Sequence, residues 1–313
     1  MDNPISPPYT GGNVLVRKKS SAAARLAKQT IVVLSFLGPA LLFYGFFMLY
    51  PMEEAIRWSL LDLNAKSTVA HFVGLSNYVE ILKDSVFQSS LLNNLEWVMM
   101  ELLLVVFPVL ILSVMITKVK RGKLFFRAAF YLPAVLSMPV VAVIWSKIYD
   151  PYIGPVNSFL KLIGLKGLAL NWLGEPFTVL PALILASTWV AYGFYMVLYL
   201  AGLQSIDYDL YEAADLDGAG TVSKFLHITL PSLRHTINFI VSLVIINSFK
   251  GFSMVWIITQ GGPFYKSEVV ATYVYKQAFS KYQISTGAAG SVILALIIML
   301  VTIVFNRIRE RGE

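Results

Sequence analysis

Residues 284–306 read ISTGAAGSVILALIIMLVTIVFN, twenty-three residues without an acid or a base, and Arg307 follows at once. At ~1.5 Å of rise per residue, such a run is long enough as a helix to cross the ~30 Å hydrocarbon layer of a bilayer. Five more apolar runs lie upstream, at about 31–50, 91–117, 128–149, 177–203 and 237–259. They are continuous, not alternating, which sets aside a membrane β-barrel. Across the 313 residues, 57% are hydrophobic and 14% charged, whereas a soluble domain carries roughly 25% charge. That balance argues against a water-soluble globule and excludes intrinsic disorder. The fold class is therefore an all-α membrane protein with six transmembrane helices.

The net charge of +7 could signal nucleic-acid binding in a soluble protein, but here the basic residues gather at the ends of the apolar runs, and no nucleic-acid partner is expected. Lys and Arg favour cytoplasmic connections. Residues 1–30, 118–127, 204–236 and 307–313 hold fifteen of them, including Lys118, Lys120, Arg121, Lys123 and Arg127. The opposite connections, 51–90, 150–176 and 260–283, hold eight. Both termini are thus expected in the cytoplasm. The chain divides into an N-terminal tail (1–30), a six-span domain (31–306) with a cytoplasmic loop (204–236), and a short tail (307–313). The first apolar run is too long for a signal peptide and ends in Leu49-Tyr50-Pro51 with no small-residue cleavage site. The tail before the basic residues, with Pro4, Pro7, Pro8, Gly11 and Gly12, reads as disordered.

Prolines 39, 108, 133, 139 and 181 interrupt the spans. Each removes a backbone donor and tends to kink its helix. Pro133 and Pro139 share one run, so span three is expected to bend, either for packing or as a hinge. The patch Gly287-Ala288-Ala289-Gly290-Ser291 suits close helix contact.

The loop 204–236 departs from its basic side. Asp207, Asp209, Glu212, Asp215 and Asp217 fall within eleven residues, with Leu210, Tyr211, Ala213, Ala214 and Leu216 between them. A spacing of three places Asp209, Glu212 and Asp215 near one side of a helix. Gly218 and Gly220 should end it, and a second helical stretch over about 221–229 should stop at Pro231. Anionic lipid repels such a helix, which leaves two readings: a solvated connector, or a docking element for a protein with a basic groove.

Glu212-Ala213-Ala214, then Gly218, then Ile228, then Leu230-Pro231 match the spaced signature of ABC-transporter permeases. The chain over roughly 30–306 resembles the binding-protein-dependent sugar permeases of the maltose and glycerol-phosphate type, a type I importer fold. Leu37-Gly38-Pro39-Ala40, Tyr50-Pro51, Gly74-Leu75-Ser76-Asn77-Tyr78, Arg127 to Pro133 and Thr259-Gln260-Gly261-Gly262-Pro263 add to the likeness. The extra spans and large periplasmic insert of the maltose permease are missing. The resemblance implies a permease subunit in a bacterial or archaeal cytoplasmic membrane. Its implied partners are a second homologous permease, two cytoplasmic ATPase subunits that use ATP and Mg, and an extracytoplasmic solute-binding protein meeting loops 51–90 and 150–176. It implies that Glu212 pairs with a basic residue of the ATPase, Ala213 and Ala214 allow close approach, and Gly218 makes the turn. Ile228, Leu230 and Pro231 would pack the loop under the spans.

No catalytic residue, metal site or cofactor is expected in this chain. Cys is absent, and His71, His227 and His235 lack metal spacing. The stretch Gly262 to Ser267 superficially resembles a phosphate loop but lacks the glycine before the lysine.

Ionisable groups inside a membrane are functional hypotheses by default. Glu96, Glu101 and Lys250 qualify. Glu101 and Lys250 fall at similar depth, so either they form a buried ion pair or Lys250 faces the pathway and meets the carboxylate or phosphate of an anionic sugar. Aromatic faces and amide or hydroxyl groups suit a sugar ring. Spans four and five offer Ser187, Tyr192, Tyr195, Asn247, Ser248, Lys250 and Gly251 as the substrate pathway, with Asn247, Gly251 and Met254 on one helix face. The functions weighed are a sugar or oligosaccharide importer, an importer of an anionic saccharide, an ion-coupled secondary transporter using Glu96 and Glu101, and an interaction or assembly membrane protein without transport.

Overall fold

A computed structural model describes residues 22–63 and 70–311. The tail before Arg17, expected to be disordered, lies outside the described residues. Two compact units divide the chain, Met1–Glu54 and Ala55–Glu313. Helix α1 spans Ala22–Tyr44, a π turn Gly45–Leu49 follows, and α2 spans Tyr50–Ser59. The helix begins at Ala22, ahead of the predicted span, because Ala22-Ala23-Ala24 and Leu26-Ala27 are strong helix formers. Its apolar side chains, Phe36 and Leu42 among them, are exposed, as fits a helix meant for lipid or another chain.

The second unit begins within α2 and continues with a small antiparallel pair, β1 Leu61–Asp62 and β2 His71–Phe72. Helix α3 (Ser76–Lys83) leads into α4 (Ser85–Lys118), which Asp84 caps by accepting the Val86 N–H at 2.7 Å. One face of α4 buries Phe87, Trp97, Val105, Val109 and Leu110. The other exposes Leu92, Leu95, Met99, Leu103, Phe107, Ile111 and Met115. Next come α5 (Lys123–Val135), α6 (Met138–Ile148), α7 (Pro155–Leu162) and the long α8 (Val179–Gln204). The loop 204–236 carries α9 (Asp209–Leu216), α10 (Thr221–Lys224), a π turn Phe225–Thr229 and α11 (Leu230–Ser232). The remainder is α12 (Arg234–Phe249), α13 (Ser253–Ile258), α14 (Val270–Tyr275), a π turn Lys276–Ser280 and α15 (Ile284–Arg311).

Among the described residues, five helical segments are long and apolar enough to cross a membrane, and α5 with α6 makes a sixth when the pair is counted as one span. That pair is more than a bent helix. It turns by 101° through Leu136 and Ser137, both extended with ψ of 143° and 144°. Pro139 has no N–H to continue the ladder, and its ring excludes the carbonyl of Val135 four residues back, so the helix restarts. Span five breaks too, at Lys250-Gly251 between α12 and α13.

Pro231 does not end the second loop helix as predicted. The π turn just before it lets Leu230 N–H reach the Phe225 carbonyl. This wider turn eases the clash that a proline ring makes with a normal helical turn. The same arrangement precedes Pro51, where Tyr50 N–H reaches the Gly45 carbonyl.

Helices α4 and α8 run through two cores. One gathers Trp97, Val141, Leu180, Leu183 and Val255; the other gathers Val105, Val109, Met196, Tyr199, Leu233 and Ile240. Hydrocarbon surroundings remove much of the apolar driving force between helices, so close fit and hydrogen bonds carry more of the association. Gly193 lets α8 meet α5: a Cβ there would stand 2.8 Å from the Phe130 carbonyl oxygen and from Tyr131 Cα. Gly287 and Gly290 of the small-residue patch close likewise on Ala278 and Val274. Tyr192 and Tyr199 of α8 donate to the Leu104 and Val106 carbonyls of α4 at 2.8 and 2.9 Å. Pro108 accounts for the first acceptor, because a proline at 108 cannot donate to the Leu104 carbonyl.

Candidate functional site

Two places gather the candidate residues. The first is the acidic helix α9. Asp207 starts it by accepting the Asp209 N–H at 3.1 Å. Gly218 ends it with φ +74°. Gly218 N–H reaches the Asp215 carbonyl at 3.1 Å and Ala219 N–H reaches the Ala214 carbonyl at 2.8 Å. These two bonds form the Schellman closure of a helix end, which needs a left-handed residue where glycine stands. Glu212 and Ala213 are exposed and Ala214 is half-buried. Leu216, 91% exposed, Leu210 and Tyr208 leave apolar surface uncovered beside the acids.

The rest of the loop ties α9 to the spans. Tyr211 and Thr229 hydroxyls meet at 2.8 Å, and Asp215 forms an ion pair with Lys224. Of the three residues expected to pack the loop under the spans, Leu230 does so, beside Leu233 and Tyr199 in the second core. Ile228 is half-buried outside that cluster and Pro231 is exposed. The inward turn positions here are Thr229 and Leu233, which the spacing of the motif did not disclose.

The second place is a cavity of about 470 Å³ where α4, α5, α6, α8 and α12 meet at both helix breaks. Of the predicted pathway residues, Ser187, Tyr195, Asn247, Lys250 and Gly251 line it, together with Met254. Asn247 Nδ2 donates to the Tyr195 hydroxyl at 3.3 Å. Tyr192 and Ser248 do not line it. The Tyr192 hydroxyl is spent on Leu104, and the Ser248 hydroxyl on Glu101 and the Val244 carbonyl, each at 2.7 Å. Glu101 is buried in the wall, where Ser248 Oγ at 2.7 Å and Trp97 Nε1 at 3.0 Å both donate to Oε2. The possible Glu101–Lys250 ion pair is not formed. Lys250 caps the end of α12, is exposed, and makes no ion pair among the described residues. The helix break turned it away from the helical position from which depth was reckoned. Glu96 is exposed on the outer face of α4.

Trp97, Tyr131, Met138 and Phe252 also line the cavity and were not foreseen. Tyr131 and Met138 belong to the two arms of the α5–α6 break, and only the 101° turn brings them together. The pair Trp97 and Glu101, one helical turn apart, was the available signal. Among the described residues, no three of His, Asp or Glu group to hold a metal ion.

Comparison with known proteins follows the same lines. Residues 81–311 match the family model described as binding-protein-dependent transport system inner membrane component. The chain is similar to the probable ABC transporter permease protein YurN of Bacillus subtilis, with 35% identity over 288 residues that cover 91% of this chain and 98% of that one. It is similar to the diacetylchitobiose uptake system permease protein NgcF of Streptomyces coelicolor, with 31% identity over 90% of this chain and 83% of that one. Its fold superposes with a TM-score of 0.80 on a chain of a bacterial ABC transporter involved in the import of the acidic polysaccharide alginate. The identity there is 24%, covering 92% of this chain and 98% of that one.

Proposed function

Since the chain belongs to the family of binding-protein-dependent transport system inner membrane components, we propose that it is the permease subunit of an ATP-driven importer of a sugar or oligosaccharide. The observation that carries the reading is α9, an exposed acidic helix with uncovered Leu210 and Leu216, closed by Gly218 and tied to the spans through Tyr211 and Lys224. A solvated connector has no need of uncovered leucines beside its acids, whereas a docking element does. A basic cleft of a cytoplasmic ATPase subunit complements it. Closure of two such subunits around ATP would push α9, and the short links from α9 to α8 and α11 would pass that motion to the spans. A second homologous permease completes the pathway, and an extracytoplasmic solute-binding protein delivers the saccharide. The alginate relative was also solved in complex with an alginate pentasaccharide-bound periplasmic protein, which supports that last partner. Both termini would face the cytoplasm of a bacterial or archaeal cell.

The assembled complex in proteoliposomes should take up saccharide when ATP is supplied, and uncouplers should leave uptake unchanged with ATP held constant. Uptake that collapses with the proton gradient would instead favour an ion-coupled transporter. A second reading, an anionic saccharide, is favoured by Lys250, exposed at the cavity and without an ion pair among the described residues. Lys250→Gln should then reduce uptake of uronic-acid oligosaccharides more than that of neutral ones; equal losses would count against it.

A further inference from the structure

A second cavity, of about 370 Å³, lies where the end of α4 meets the loop 204–236, with Thr117, Lys118, Tyr211, Thr221, Lys224 and Thr229 among its walls. It shares Val114, Lys118, Thr221 and Phe225 with a neighbouring groove of about 310 Å³, whose other walls are Ile111, Met115 and Val222. The two form one continuous hollow, polar at one end and apolar at the other. The apolar end is open, since Met115 is 61% and Val222 70% exposed.

Its place along α4 matters. Ile111, Met115 and Lys118 follow one stripe of the helix. Lys118 is the last residue of α4 and the first of the basic segment that continues with Lys120, Arg121 and Lys123. With the membrane orientation proposed above, on which this inference rests, the stripe would run from the hydrocarbon region to the level where headgroups sit. Lys118 has no hydrogen bond or ion pair among the described residues. Lys224 is half-buried and has Asp215 as its ion-pair partner on one side. Two lysines, Lys118 and Lys224, and Thr221 thus line one hollow, and of the two lysines Lys224 alone has an ion-pair partner among the described residues.

We propose that this hollow holds one anionic phospholipid, with its phosphate between Lys118 and Lys224 and an acyl chain along Ile111, Met115 and Val222. A neutral lipid leaves the surplus charge unmatched, and a free anion leaves the apolar arm unfilled. Anionic lipid is attracted to basic pockets at helix ends on the cytoplasmic side.

The test uses the assembled transporter, incubated with equimolar phosphatidylglycerol and phosphatidylcholine, with retained lipid counted by native mass spectrometry. Lys118→Gln should lower the retained glycerol-to-choline ratio about five-fold, the effect of one lysine near a membrane surface. Met115→Trp, which fills the apolar arm and leaves the charge alone, should lower it as well. Lys118→Arg should hold it. An unchanged ratio in Lys118→Gln or in Met115→Trp overturns the proposal, as does a drop in Lys118→Arg equal to that in Lys118→Gln. A millimolar excess of inorganic phosphate should not displace the lipid; displacement would assign the pocket to a free anion and overturn the lipid.

Discussion

Gly218 allows a graded perturbation of the acidic helix. Its φ is +74°, and nothing lies within 4 Å of where a Cβ would sit. A side chain there meets no steric obstacle, so its cost is the backbone conformation alone. For alanine that is about 1 kcal/mol, for a β-branched residue more, and for asparagine less because it tolerates the left-handed region. The alternative for a strained variant is to open the turn. That breaks the Gly218–Asp215 and Ala219–Ala214 bonds, each contributing roughly 1 kcal/mol. Strain of about 1 kcal/mol corresponds to a roughly five-fold shift toward the open turn. In reconstituted transporter, saccharide imported per ATP hydrolysed should fall in the order wild type, Gly218→Asn, Gly218→Ala, Gly218→Val, with assembly preserved. Equal coupling in the alanine and valine variants and wild type would refute the reasoning. So would an asparagine variant as poor as valine, since that would make size rather than φ the cause.

Other sites yield sharper stability effects. Gly193→Ala places its Cβ 2.8 Å from the Phe130 carbonyl oxygen and should destabilise the α5–α8 contact by roughly 1–3 kcal/mol, seen as a lower thermal unfolding temperature of the detergent-solubilised complex. Glu268 is fully buried and paired with Lys276, whose side chain is 24% exposed. Lys276→Met therefore strands a buried charge and should destabilise more than Glu268→Gln, which leaves the lysine access to water; the reverse order in the same melting assay would refute this. Asn94 accepts the Val270 N–H at 2.8 Å inside the protein, so Asn94→Leu should destabilise by about 1–3 kcal/mol, with faster amide exchange at the start of α14.

The apolar runs and the acidic loop were legible because both follow from local rules of length and spacing. Five long apolar helices needed only counting, and Gly218 announced its turn. The break between α5 and α6 was visible as Pro133 and Pro139 but not in size, since a proline states where a ladder stops and not where the next helix points. The cavity was half legible. Ser187, Tyr195, Asn247 and Gly251 were on the expected spans, but Tyr131 and Met138 reach it only through that turn. Tyr192 failed for a related reason: its hydroxyl is taken by the carbonyl that Pro108 leaves without a partner. Lys250 changed meaning because α12 ends on it. The burial of Glu268 beside Lys276 carries no local sequence signal, because it depends on Gly261, where a Cβ would overlap the Glu268 carboxylate.

The most direct measurement is ATP hydrolysis stimulated by the loaded solute-binding protein, with uptake followed in parallel, in transporter carrying Glu212→Lys. Glu212 is exposed on α9, so the reversal should leave the spans folded and the two permeases assembled while it abolishes both activities and loosens the ATPase subunits. Normal stimulation and normal import by the Glu212→Lys transporter would contradict the docking of α9 on the ATPase.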